Sequence, residues 1–316
     1  MKFRRPLCGL LLLLVFPSGG SAVDLFLSPR LTLEAGYENN RYLLPTALTN
    51  TASSAFLRAA PAVSLHLLAG AGTEVSAGVS GAHTEYLRSD LKPREELMAY
   101  LEWWQTGAPF EGGLRLAGGL SRDSAIPEDD FNWFAATPAL RYILPQPDWQ
   151  LTAQVRLAFD QFDTRLTTNG VQQTDQTLEF RPGLRWLPTR DAILWAELYL
   201  EKNDSNEDAF DYQGFGLALG GSLWVTPRGQ FAAAVQAGAR TFADVTDETG
   251  LVLQRRDQPL RAEVSYTYRL LPWLDLFCSA AWYASGSDQS VQDVSGWSAQ
   301  VGLTLAQDYP LFSGRH

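Results

Sequence analysis

Apolar and polar residues alternate with a period of two in fourteen short runs along this chain. That period places successive side chains on opposite faces of an extended strand. The runs predict strands at 29–37, 55–68, 73–87, 95–105, 113–122, 132–144, 150–162, 177–187, 192–201, 212–225, 230–242, 261–270, 274–284 and 296–306. In the seventh, Leu151, Ala153, Val155, Leu157 and Phe159 share one face, and Thr152, Gln154, Arg156, Ala158 and Asp160 the other. The twelfth sets Ala262, Val264, Tyr266, Tyr268 and Leu270 against Arg261, Glu263, Ser265, Thr267 and Arg269. The last sets Trp297, Ala299, Val301, Leu303 and Leu305 against Ser298, Gln300, Gly302 and Thr304.

The breaks between runs alternate in length. Every second one is tight and rich in Pro or Gly: 69–72, 106–109, 145–148, 188–191, 226–229 and 271–273. Proline cannot donate to a central ladder, so it punctuates strands rather than continuing them. The intervening connections, at 38–54, 88–94, 123–131, 163–176, 202–211, 243–260 and 285–295, are mostly longer and polar. Short turns at one end and long loops at the other, with an even strand count, are the pattern of an outer-membrane barrel. The expected fold is therefore all-β, a transmembrane antiparallel up-and-down β-barrel of about fourteen strands, with twelve to sixteen allowed. A soluble sandwich would bury the same apolar stripes, so alternation alone does not separate the two. Trp103, Trp133, Trp186, Trp273, Trp282 and Trp297 lie near strand ends and suit two interfacial girdles, which favours the barrel. The Pro-marked turns recur at a spacing that also suits propeller blades, but no blade signature recurs with them.

Residues 1–22 read as an export signal: Lys2, Arg4 and Arg5 precede an apolar stretch from Leu7 to Phe16, and Gly20-Ser21-Ala22 is a small-residue cleavage site. Ten apolar residues fall short of the ~20 a helical span needs. The expected mature domain is 23–316. Removing the three basic residues of the signal from 25 Lys and Arg leaves 22 against 35 Asp and Glu, a net charge of −13. Such a chain repels nucleic acid. Cys8 precedes any lipoprotein-like position, and Cys278 has no partner for an intramolecular disulfide. Ten Trp, eleven Tyr and sixteen Phe accompany a slightly negative mean hydropathy, as expected when only alternate strand residues meet lipid.

The segment Leu31-Thr-Leu-Glu-Ala-Gly-Tyr37, followed by Glu38-Asn39-Asn40-Arg41-Tyr42, resembles the opening strand of a beta-barrel porin family of Gram-negative outer membranes. The second run, Phe56 to Leu68 with Pro61, resembles the Pro-interrupted second strand common in that family. The resemblance implies a channel in the outer membrane, bounded by lipid and inserted by the barrel-assembly machinery. Gln300-Val-Gly-Leu-Thr-Leu305 partly resembles the terminal signal that this machinery reads, but the chain continues through Tyr309-Pro-Leu-Phe312 to His316. Either Phe312 closes the barrel in a shifted register, or a short tail follows Leu305. Length and strand number also resemble monomeric fourteen-stranded porins, without a stretch long enough for an N-terminal hatch.

Parity assigns charged residues to the interior. Arg115, Arg141, Arg156, Arg181 and Arg185 fall on the fifth to eighth strands; Glu34, Glu74, Glu96 and Glu102 fall on the first, third and fourth. Cations on one wall and carboxylates on the facing wall would set a transverse field and an ion preference. The competing reading is that these charges pair across neighbouring strands, Arg181 with Asp160 for example, and fill the barrel. Fourteen strands enclose more width than side chains alone can fill, which favours passive passage of small polar solutes or ions. The alternative function is a conduit partnering a polysaccharide-export or cytochrome electron-transfer system.

An outer-membrane hydrolase is the third class. Only His66, His83 and His316 exist as histidine bases. His66 shares its face with Ser64, and His83 stands near Glu85, but neither pairing forms a recognised triad motif. No phosphate loop, metalloprotease helix or haem-attachment motif occurs, so no cofactor and no enzyme activity is expected. The acidic loops at Asp123, Glu128, Asp129 and Asp130, and at Asp204, Asn206, Glu207, Asp208 and Asp211, admit a calcium reading, but solvated loop charge is the ordinary explanation and no metal is expected.

Overall fold

The computed structural model describes residues 23–39, 53–88, 91, 93–123, 130–167, 169–243, 245–246, 252–253, 255–288 and 293–313. The export signal, His316, Glu128 and Asp129 lie outside the described residues. The chain forms β1 (Val23–Asn39), β2 (Ser54–Ala69), β3 (Thr73–Tyr86), β4 (Arg94–Gln105), β5 (Phe110–Asp123), β6 (Phe131–Ile143), β7 (Trp149–Leu166) and β8 (Gln172–Thr189). There follow β9 (Ala192–Ser205), β10 (Tyr212–Thr226), β11 (Gly229–Phe242), the short pair β12 (Val245–Thr246) and β13 (Val252–Leu253), β14 (Arg256–Leu271), β15 (Leu274–Ser287), β16 (Val294–Ala306) and β17 (Tyr309–Ser313). Each long strand pairs antiparallel with the next, and β16 pairs with β1 from Arg30↔Ala306 to Asn39↔Trp297. The result is a closed fourteen-stranded antiparallel barrel, as the alternation predicts. Closure satisfies the backbone polar groups that an open edge would leave bare in lipid.

The closing seam resolves the ambiguity at the C-terminal end. β17 lies on the first part of β1, with Leu25↔Phe312 and Leu27↔Tyr309, and a register shift between Leu25 and Phe26. β16 and β17 thus act as one bent strand, and Phe312 belongs to the wall rather than to a free tail. β1 begins at Val23, earlier than the predicted 29, because the alternation of Asp24, Phe26 and Ser28 against Leu25 and Leu27 continues through the apparent break at Pro29. Pro29 sits where β1 passes from one closing segment to the other, and its carbonyl accepts the Gln307 N–H at 3.4 Å. A residue with no N–H to give is tolerated there.

The long-loop ends of several strands also run past their predicted bounds. β7 and β8 extend to Leu166 and from Gln172, leaving a tight connection with Gly170 at φ 72° and a Val171 N–H donating to Thr167 Oγ1 at 3.2 Å. β9 continues to Ser205 and β14 starts at Arg256. These extensions are polar on both faces, which hides the period from a hydropathy reading.

Outward-facing side chains form an apolar belt. Leu57, Val79, Leu97, Phe134, Leu140, Leu157, Leu178, Leu198, Phe215 and Val301 are all exposed there. Cys278 shares that face with Leu276, Ala280 and Trp282. Near the tight turns, Trp149 stacks on Trp186 at 5.4 Å between ring centroids and Phe110 meets Tyr142 at 4.8 Å; at the loop end, Tyr37 meets Trp297 at 5.3 Å. Trp133 departs from its predicted place in a girdle. It faces inward beside Met98 and Arg156, at the parity it shares with Arg141; the girdle expectation rests on its place near the strand end, which does not decide the face.

Candidate permeation lumen

Inward positions on the wall are small or polar with a few large aromatic rings laid flat. Tyr199, 2% exposed, lies over Gly216 and Gly238 on the next two strands, where an added Cβ would collide with its ring. Trp195 lies over Gly220 in the same way. Glycine permits this close approach because it has no side chain to intervene. The rings therefore line the wall instead of crossing the interior.

The structure places all nine predicted residues on the interior face and groups them differently from the sequence expectation. Arg115, Arg141, Arg156, Arg181 and Arg185 border a single cavity of about 660 Å³, together with Glu102, Glu197, Trp104, Trp133 and Trp195. Glu34 and Glu96 belong elsewhere: Arg58 bridges them, at 3.2 Å and 3.1 Å, with Arg94 also on Glu96 at 2.9 Å. Glu74 stands near His66 at 3.8 Å, beside a cavity of about 800 Å³ lined also by Arg30, Tyr100 and Asp308.

Most of the carboxylates do not face the arginines. β4 pairs directly with β5, so Glu96 and Glu102 adjoin the arginine strands, and Glu102 stands opposite Arg115 in the ladder; of the four, Glu34 on β1 lies across the ring from β8 with its Arg181 and Arg185. A ring of fourteen strands sets β5–β7 across from β14–β16 instead. That facing arc carries Ser265, Ser279, Ser298 and Gln300 along a cavity of about 590 Å³, with Arg261 and Glu263 paired at 3.0 Å.

Ion pairing follows the competing reading in part, with different partners. Arg181 binds Glu179, two residues along its own strand, at 2.7 Å and Glu197 of β9 at 3.7 Å, rather than Asp160. Asp160 faces Asp175 across the β7–β8 ladder. Arg141 pairs with Glu111 at 2.8 Å, and Arg240 with Glu201 at 2.5 Å. Glu111, Glu179, Glu197, Glu201, Arg58 and Arg240 went unnoticed in the sequence reading; each lies at the parity that defines the interior, so parity could have found them. Arg115, Arg156 and Arg185 form no ion pair with any described residue; Arg115 rests 5.0 Å from the Tyr100 ring centre.

The cavities adjoin. Met98 borders both the arginine cavity and the one beside Glu74, and Arg185 and Trp195 border both the arginine cavity and the serine-lined one. Among the described residues, every strand except the short β12–β13 pair belongs to the wall.

The hydrolase inventory gains one member. Ser64 Oγ lies 2.8 Å from His66 Nε2, and Glu74 approaches the other ring nitrogen. A triad also needs donors aimed at a developing oxyanion. Here Ser64 pairs with Ser28 and Gly78 in the middle of a strand, its neighbouring backbone committed to ladders on both sides. His83 points outward instead, between Glu85 at 3.4 Å and Glu95 at 3.5 Å. In the acidic 204–211 segment, Asp204 holds Lys202 at 2.7 Å, Asn206 accepts the Thr174 N–H at 2.9 Å and Asp211 accepts the Ser205 N–H. These carboxylates and amides are engaged with the chain itself. Among the described residues no set of three or more His, Cys, Asp or Glu is arranged for a metal ion.

No family model matches the chain, and no curated protein matches it. Among solved structures, the barrel is similar to the loop L8 deletion mutant of OmpT, an outer membrane protein of Vibrio cholerae, with a TM-score of 0.52 and 9% identity over 92% of this chain and 100% of that one. It is likewise similar to in-vitro folded OmpT of Vibrio cholerae in a trimer form, with a TM-score of 0.53 and 8% identity over 90% and 99% of the two chains. At such identity the likeness carries the fold: an outer-membrane type of β-barrel.

Proposed function

We propose that this protein is an outer-membrane channel of a Gram-negative bacterium for passive passage of small polar solutes or ions. The observation that carries the reading is the contrast between the two sides of one closed wall. Outside is a continuous apolar belt with aromatic rims; inside are charged and hydroxyl side chains around adjoining cavities. An apolar exterior suits lipid, and a polar interior suits water. The export signal supplies the route to the envelope, and the apolar seam of β16–β17 suits recognition by the assembly machinery.

Purified protein reconstituted into a planar bilayer is expected to give a steady, ohmic, stepwise current in potassium chloride. Electrical silence from a barrel shown to be folded by its heat-modifiable migration in gels would overturn the channel reading. It would turn attention to the conduit reading, in which a partner from an export or electron-transfer system opens or fills the barrel.

A further inference from the structure

Charged side chains line the interior of this barrel at every depth. Near the loop end stand Glu38, Asp123, Asp160, Asp175 and Asp257, and near the tight turns Asp24, Glu74 and Asp275, all at interior parity. Midway along their strands stand Arg115, Arg156 and Arg181, with Arg185 four residues farther toward the tight turn. Glu102 and Glu179 stand opposite Arg115 and Arg156 in their ladders and Glu197 borders the same cavity, so the arc on β5–β8 is mixed in charge with arginine in excess around that cavity. Opposite β5–β7, the arc on β14–β16 holds neutral Ser279, Ser298 and Gln300, with Arg261 and Glu263 paired to each other; opposite β8, Glu34 of β1 is held by Arg58.

The arginines differ in availability. Arg141 and Arg181 already hold Glu111 and Glu179. Arg115, Arg156 and Arg185 pair with no carboxylate among the described residues, though all three border the same cavity of about 660 Å³. A guanidinium offers five donors in a planar fork that matches a carboxylate. Trp104, Trp133 and Trp195, on the same cavity, exclude part of the competing water and leave the guanidinium faces less screened.

We propose that this mid-depth arc is an anion-preferring binding station, at which Arg115, Arg156 and Arg185 take the carboxylate of a small hydroxylated organic acid while the neutral arc opposite solvates its hydroxyls. This rests on the channel reading above and names its substrate class.

The test is conductance of the full mature chain in a planar bilayer with a potassium chloride gradient, followed by addition of sodium gluconate. The expected reversal potential reports chloride preference, and gluconate lowers the chloride current saturably. Replacing Arg115, Arg156 and Arg185 together with Gln is expected to cut the anion-to-cation permeability ratio by roughly eightfold, about twofold per charge, and to abolish block by gluconate. The three Lys replacements keep the ratio but weaken the block, because an ammonium lacks the fork. If the triple Gln protein does not fold, the three single Gln proteins, each expected to lose about twofold, decide the matter. An open channel that prefers potassium, or one whose ratio is unchanged by the Gln replacements, overturns this inference and leaves the channel intact. A chloride-preferring channel that gluconate does not block overturns the organic-acid assignment. Absence of current overturns the channel reading itself.

Discussion

The residue that best shows how this wall is built is Tyr199. Its ring is buried although it faces an interior that otherwise admits water, because Gly216 and Gly238 clear a flat bed for it across two strands. Gly238→Ala would force the ring off that bed, and overpacking of this kind costs typically 1–3 kcal/mol. A drop of about 2 kcal/mol in the urea unfolding free energy of detergent-folded protein is the expected result. Nearby, Glu201, only 6% exposed, holds Arg240. Glu201→Gln removes the charge that the half-buried guanidinium answers, and a loss of about 2 kcal/mol in the same assay is expected. Neither effect was legible from sequence. Parity puts Tyr199 and Gly216 inside, but only the ladder register Tyr199↔Gly216↔Gly238 brings them side by side.

At the scale of a strand, two faces of one ribbon obey opposite rules. Leu157, 51% exposed on β7, is flanked by inward Arg156 on the same strand. Leu157→Arg sets a cation into the belt at mid-strand, where such a charge costs about 2–4 kcal/mol. Gln154→Arg, three residues away on the inner face, is expected to leave folding unchanged. The yield of heat-modifiable folded barrel separates the two, and equal tolerance of both would contradict the assigned faces. Strand positions were readable because the lipid belt demands apolar residues at every second site. Strand bounds are hidden where that demand lapses, beyond the belt on β7, β8 and β14, where both faces are mostly polar; on β6, Trp133 lies inward at the parity of Arg141 although it stands near a strand end.

For the whole molecule, closure fixes what the outside touches. Cys278 lies on the apolar face, and a lipid-soluble maleimide is expected to label it in proteoliposomes while a charged, membrane-impermeant maleimide does not. Rapid labelling by the charged reagent would contradict a lipid-facing belt. Closure also decides which interior charges are neighbours. The expected transverse field required carboxylates opposite arginines, yet strands adjacent in sequence are adjacent in the wall, so Glu96 and Glu102 abut the arginine arc, while Glu34, across from β8, is held together with Glu96 by Arg58 and Arg94.

The sequence by itself determined the all-β architecture, the strand positions and the face each side chain takes, because a two-residue period and the exclusion of polar groups from lipid are local demands that every strand must meet alone. The tertiary structure decided what local demands cannot express: that β17 completes the seam, that Glu34 and Glu96 share Arg58, and that Arg115, Arg156 and Arg185 border one cavity without an ion pair among the described residues. Those facts depend on register and on the curvature of a closed ring, and a Coulomb interaction depends on the resulting distance rather than on separation along the chain.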